Sequence, residues 1–295
     1  MSVTADTVRQ LRERTGAGMM ECKKALVETA GDLDAAAELM RKQGLAKADK
    51  KSTRIAAEGV IAIERAADGH SAAMVEVNCE TDFVAREQDF RGFAAEIARH
   101  AAAKHPAGLE ALLAATIRGA ESIDEWRRAL VAKIGEKISV RRMALVKSAG
   151  PLGAYLHGTR IGVLVALEGG TPELAHDLAM HIAASNPRYV SMAEVPEAEV
   201  AKEREILTEQ ARQEGKSEEI AAKMVAGRLR KSLNEITLLG QPFVKNPDQT
   251  VEALLKAAAA KVREFQRFEV GAGIDKKSED FVAEVMAQVS AAGRS

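Results

Sequence analysis

Only two cysteines, Cys22 and Cys79, occur in 295 residues. They supply neither a metal-ligand spacing nor a disulfide framework, which fits a reducing compartment. Aromatic residues make up 3% of the chain and alanine is abundant, so helix-rich packing with small side chains is expected. Neither charge dominates: 42 Lys and Arg face 43 Asp and Glu, for a net charge of -1. That balance argues against a broad phosphate-neutralising surface and a specific nucleic-acid partner. No apolar run is long enough to span a bilayer. The opening "MSVTADTVRQLRERTG" carries no apolar secretory core. A soluble, cytoplasmic protein without a membrane partner is expected.

Catalytic signatures are also missing. No GxxxxGKS or GxxxxGKT phosphate loop occurs, and "GGTPEL" and "VGAGID" lack the strand–GxGxxG–helix layout of a dinucleotide site. His176 and His181 are five apart, so on a helix they do not share a face and make a poor metal pair. Neither cysteine lies in an activating motif and no GxSxG elbow is present. These absences predict no metal, no cofactor and no covalent chemistry.

What is present begins with three short helices between Thr4 and Gln43. The first carries Val8 and Leu11 and stops at Thr15–Gly18. The second carries the stripe Met19, Cys22, Leu26, Thr29. Gly31 suits a C-cap and Asp32 an N-cap. The third carries Leu33, Ala36 and Met40 and is expected to end at Gly44. "AKADKKSTR", Ala46 to Arg54, then reads as a basic solvated linker, with a nucleic-acid contact as the alternative.

The pattern changes after the linker. "GVIAIERAADGHSAAMVEVNC" predicts a β-hairpin, with strands at Val60–Ile63 and Met74–Cys79 around Ala67-Asp68-Gly69. Val75, Val77 and Cys79 alternate with Glu76, Asn78 and Glu80, so one face is expected buried and the other wet. A helix through Phe90, Ala94, Ile97 and Ala101 follows, then one over Ser122–Gly135, then the strand "ISVRRMALVK". The order recurs: "GAYLHGTRIGVLVALEGG" is again two strands and "ELAHDLAMHIAASNP" again an Ala-rich helix. Phe93–Ala98 aligns with Leu178–Ala183 without gaps. The fold class is therefore α+β, with two copies of a unit that packs a three-stranded antiparallel sheet on helices. "QRFEV", Gln266 to Val270, is the expected third strand of the second copy. Its delay is explained by a charged helical hairpin over residues 196–239, broken at "QEGKS", where Gly215 would be a C-cap and Ser217 an N-cap. Sparse apolar positions (Val200, Ile206, Leu207, Ile220, Met224, Leu229 and Leu233) predict an arm that projects into solvent or pairs with another chain, rather than a firmly buried element. "SEDFVAEVMAQVSAAGRS" predicts a C-terminal helix. The resulting division is 1–54, 55–148, 149–277 with the inserted hairpin, and 278–295.

"EVNCETDFVAR", Glu76 to Arg86, holds one large aromatic just past a strand. Phe83 and Phe90 are seven apart, which on a continuous helix would bury both on one face. Asp82 is a natural N-cap, which instead puts Phe83 at the exposed edge of a strand-to-helix turn, a usual place for a partner contact.

That segment and "LRERTGAGMMECKKAL", Leu11 to Leu26, resemble the signature segments of the translation elongation factor Ts family. "HGTRIGVLVA", "AMHIAASNP", "GQPFVKNP" and "RFEVGAGI" resemble it in the same order, so the likeness covers essentially the whole chain, in the longer bacterial-type form. The resemblance implies a guanine-nucleotide exchange factor for elongation factor Tu. It implies that Thr81, Asp82, Phe83 and Val84 enter the partner's G domain, where Phe83 wedges between helices, magnesium is displaced and GDP leaves. It implies a grip by the N-terminal helices, with Leu11, Arg12, Met19 and Met20 as candidates, and further contacts at His157 and Gly158. It also implies homodimer formation as an option, since the hairpin and second unit carry self-association in some members of the family. The alternative is a non-catalytic protein- or RNA-binding module of the translation machinery.

Overall fold

The computed structural model describes residues 3–119, 121–214 and 217–275. The expected C-terminal helix over 278–295 and the Gly215 cap lie outside them.

Helices α1 (Ala5–Thr15), α2 (Met19–Glu28) and α3 (Leu33–Lys51) form the N-terminal bundle. Thr4 and Thr7 cap α1 reciprocally, and Gly16 ends it at φ 67, where a side chain would strain the backbone. Asp32 Oδ1 accepts from the Asp34 and Ala35 N–H groups and starts α3. Val8, Leu11, Cys22, Ala25, Leu26 and Ala36 make a thin core. The linker expectation fails here, because α3 does not stop at Gly44 but continues to Lys51. Gly44 lies against α7 (Ile123–Ile134), where a Cβ would meet that of Ala132 at 3.0 Å. The glycine permits a close helix crossing instead of ending a helix. Lys51 Nζ then donates to the Gly135 carbonyl, so part of the basic stretch is tied to protein.

Two sheets form the body. In the first, β2 (Ser71–Cys79) lies between β1 (Glu58–Arg65) and β5 (Ser139–Lys147), all antiparallel. In the second, β7 (Ile161–Glu168) lies between β6 (Leu152–His157) and β10 (Lys261–Glu269). In both, a hairpin precedes a helix and the third strand joins the hairpin's second strand, as the repeat predicts. The helices are α5 (Gln88–Lys104) and α8 (Pro172–Ser185). The aligned residues Phe93, Ala94, Ile97 and Ala98 are buried like Leu178, Ala179, Ile182 and Ala183. Between α5 and α7 run the short α6 (Leu109–Ala114) and the small pair β3 (Thr116–Arg118) and β4 (Glu121–Ser122). Ser122 and Glu125 close a capping box on α7, and Gly135 ends it.

Each sheet is covered on both faces. Ala73, Val75, Val77 and Cys79 of β2 join the core shared with α5. The alternate residues Ala72 and Met74 join Leu152, Leu164, Ala166 and Phe268 of the other sheet. The layers therefore run helix, sheet, sheet, helix. Gly162 lets the sheets approach, since a Cβ there would lie 2.6 Å from Ile61 Cγ2 and 2.7 Å from Met74 Sδ. The wet face expected for β2 is thus wrong: Glu76 and Asn78 are fully buried. Period-2 alternation marks which residues share a face, but it does not say what covers that face.

The inserted hairpin is α9 (Glu197–Gln213) and α10 (Glu218–Ile236), and Ser217 holds the N-cap position of α10 without a side-chain bond. Leu207, Ala211, Val225 and Leu229 give it a core of its own, while Ile206 and Ile220 are exposed. The chain returns through β8 (Pro242–Phe243), β9 (Asn246–Thr250) and α11 (Val251–Ala257) to β10.

Candidate partner-binding site

Strand β2 ends at Cys79, and after two intervening residues the chain enters α4 (Asp82–Arg86), a helix of five residues. Its N-cap is Thr81, whose Oγ1 accepts from the Val84 N–H at 3.4 Å. The expected Asp82 cap is corrected: Asp82 is the first helical residue and pairs with Arg86 at 2.7 Å. Both residues of that pair are largely exposed, so it contributes little to stability. Glu87 adopts φ -62 and ψ 138, which separates α4 from α5. Phe83 and Phe90 therefore do not share one helical face. Phe90 is fully buried and Phe83 is 77% exposed. The neighbouring Val84 and Ala85 turn inward and seal the turn onto the core.

Reciprocal hydrogen bonds brace this turn. Glu136, which follows the Gly135 cap of α7, points both carboxylate oxygens at it. Its Oε2 accepts from the Glu80 and Thr81 N–H groups at 3.1 and 3.0 Å, and its Oε1 accepts from Thr81 Oγ1 at 2.7 Å. In return Glu80 Oε1 accepts from the Lys137 N–H at 2.6 Å. Glu80 also pairs with Arg54, whose carbonyl accepts from Lys137 Nζ at 2.7 Å. Cys79 Sγ donates to the Thr81 carbonyl at 3.1 Å. Burial, with the nearby Glu136 and Glu58 charges, pushes its thiol up to about 12, so Cys79 remains an unreactive thiol.

Of the other predicted contact residues, Met19 is 54% and Met20 76% exposed at the start of α2, and Arg12 is exposed on α1. Met19 does not belong to the buried stripe, which is Cys22, Ala25 and Leu26. Leu11 is fully buried in the bundle core. In this arrangement it supports α1 and offers no surface to a partner. His157 and Gly158 are exposed at the β6–β7 turn, with Gly158 at φ 59. The His157 ring lies by Tyr155 Oη at 3.3 Å, and Tyr155 meets His176 edge-on at 5.9 Å between centroids.

The loop Gly135–Lys137 links the first two groups, because it receives the end of α3 through Lys51 and holds the Phe83 turn through Glu136. The His157 turn is tied to β1 by the Ile61 N–H to Thr159 carbonyl bond at 2.8 Å. In the sequence Glu136 belongs to no motif, and Glu80 reads only as part of an exposed strand face. One signal was available for Glu136: an acid just past a helix C-terminus is disfavoured by the helix dipole, and so asks for another partner.

No group of three or more His, Cys, Asp or Glu able to hold a metal ion occurs among the described residues. Among the same residues no helix is long and apolar enough to cross a membrane.

Comparison with known proteins gives one consistent result. Residues 80–272 match the family model described as elongation factor TS. The chain is 60% identical over 289 residues to elongation factor Ts of Alkalilimnicola ehrlichii, covering 98% of this chain and 99% of the relative. It is 58% identical over 292 residues to elongation factor Ts of Methylococcus capsulatus, covering 99% and 100%. It is 57% identical over 294 residues to elongation factor Ts of Thioalkalivibrio sulfidiphilus, again covering 99% and 100%.

Proposed function

The chain belongs to the elongation factor Ts family of translation elongation factors, and on that premise we propose that it is a guanine-nucleotide exchange factor for elongation factor Tu. A GTPase holds GDP through backbone N–H groups and a magnesium ion that bridges phosphate oxygens. A factor that favours the nucleotide-free form needs no covalent step. It must bind that form more tightly than the GDP-bound form, and by reciprocity returning nucleotide expels it.

The observation that carries this reading is Phe83. In a chain with 3% aromatics, one Phe stands 77% exposed on a turn whose backbone is pinned. An aromatic held out of its own core on a rigid support suits insertion between partner helices. Such anchors contribute about 2 kcal/mol or more on truncation. Thr81 and Val84 fix its base, and Asp82 sits beside it at the surface. Arg12, Met19 and Met20 present a separate, partly apolar contact on the bundle, with Leu11 behind them. His157 and Gly158 offer a third contact on the second sheet unit. Displacement of the partner's magnesium follows from the wedge disturbing the elements that hold it, and the weakly neutralised GDP then leaves.

The test is stopped-flow release of fluorescent GDP from loaded elongation factor Tu. Saturable acceleration by the wild-type chain is expected. Release that stays at the unassisted rate at every factor concentration contradicts the reading.

A further inference from the structure

We infer that Glu136 is a positioning residue for nucleotide exchange, setting the presentation of Phe83 through the Glu80–Thr81 backbone. The inference rests on the exchange reading above and deepens it.

Phe83 makes its contact from a five-residue helix, too short to hold its own direction. The backbone before it leaves β2, and beyond Cys79 no strand pairing fixes it. The N–H groups of Glu80 and Thr81 therefore need acceptors, and both find Glu136 Oε2. The Thr81 hydroxyl that caps α4 donates to Glu136 Oε1, so one carboxylate orients the cap and the two peptides before it. Bonds of this kind to an ionised acceptor are short and strong. The reverse bond from the Lys137 N–H to Glu80 makes the brace two-sided, which prevents the turn from pivoting about Glu136. Glu136 is 53 residues from Phe83 in sequence and only half-buried. Its bonds reach the turn rather than the core, so its function is orientation more than stability. The same loop receives Lys51 and Arg54. The position of the bundle that carries Met19 and Met20 is thereby referred to the same three residues as Phe83.

Reach can be separated from charge. In Glu136→Gln the side-chain oxygen can still accept both N–H groups, and the amide can donate to Thr81 Oγ1. In Glu136→Asp the charge stays but the side chain is one methylene too short. Each variant is measured as the full chain in two ways. Amide hydrogen exchange of the factor alone reads the brace without any partner. Stopped-flow GDP release reads maximal rate and half-saturating concentration separately.

Glu136→Asp and Glu136→Ala are expected to lose protection at Glu80 and Thr81 while β2 remains protected. They are expected to lower the maximal release rate by about tenfold with a smaller change in half-saturation. Glu136→Gln should stay within about threefold of wild type. On a Phe83→Ala background, Glu136→Asp should cause no further loss, because it acts through Phe83. The inference is overturned if protection at Glu80 and Thr81 is unchanged, or if protection falls while the maximal rate does not. It is overturned equally if Asp retains activity that Gln loses, or if the two substitutions lower the rate independently. Lack of acceleration by wild type would instead remove the exchange reading and leave the brace itself to be judged by hydrogen exchange alone.

Discussion

Glu76 Oε2 accepts from Arg142 Nε at 2.5 Å, with the Glu76 side chain fully buried between two sheets. Its Oε1 accepts from Asn78 Nδ2, Arg141 and the Gly271 N–H. Arg141 donates to the Ala272 carbonyl, just past the second sheet, and Arg142 to the Glu269 carbonyl at the end of β10. One carboxylate thus locks the two repeated units together. Burial alone would raise its pKa, but the Gly271 N–H, Asn78 and Arg142 outweigh it and hold the pKa below the usual glutamate range.

Removing Glu76 takes the acceptor from the Gly271 N–H and from two half-buried guanidinium groups at once. Glu76→Ala is expected to cost about 3–5 kcal/mol of folding stability, measured by urea unfolding. Because the folded pKa is depressed, the contribution is complete above the unfolded value of about 4.3 and falls as pH drops below it. Wild-type stability should decline there with a slope that Glu76→Gln reduces.

Two adjacent residues should behave in opposite ways. Val84→Ala removes buried side-chain carbons and is expected to cost on the order of 2 kcal/mol. Phe83→Ala removes an exposed ring and should change stability by less than about 0.5 kcal/mol. Thermal unfolding of both variants checks the contrast.

A similar pair lies in the bundle. Leu11→Ala is expected to destabilise the bundle by about 2–5 kcal/mol, whereas Met20→Ala should leave unfolding unchanged and weaken association with elongation factor Tu. Calorimetric unfolding and a titration with the nucleotide-free partner separate the two outcomes. Equal affinity for wild type and Met20→Ala would remove Met20 from the contact.

His181 makes stability depend on pH near neutrality. Its Nδ1 accepts from the Val244 N–H at 3.2 Å and its Nε2 meets Gln241 Oε1 at 3.0 Å, so the neutral ring donates through Nε2. Burial lowers its pKa, with the Gln241 bond opposing in part. The folded state therefore resists protonation. Stability is complete above the unfolded histidine pKa of about 6.5 and declines as pH falls below it. Urea midpoints from pH 8 to pH 5.5 should show this decline in wild type and a flatter profile in His181→Gln.

The repeated sheets were legible because their signals are local. Alternation in Met74–Cys79 sorts those residues onto two faces, although both are buried, and the Ala-rich period of Phe93–Ala98 and Leu178–Ala183 marks the buried sides of α5 and α8. What was not legible depends on distant partners. Glu76 looked solvated because nothing near it in sequence announces the second sheet or the arginines of β5. Gly44 looked like a helix end because Ala132, which it packs against, is 88 residues away. At the turn, the local sequence points to Asp82 as the cap, whereas the cap is Thr81. The Glu136 carboxylate, 55 residues from Thr81, brings the threonine hydroxyl into place. Leu11 belongs to the same signature segment as Met19 and Met20, yet the periodicity of α1 turns it inward.

The most direct measurement compares wild type and Phe83→Ala side by side in stopped-flow release of fluorescent GDP from elongation factor Tu, at saturating factor. Wild type should accelerate release, and Phe83→Ala should still associate but release GDP more slowly, by about 30-fold for an anchor of about 2 kcal/mol. Equal maximal rates for the two proteins would contradict the wedge.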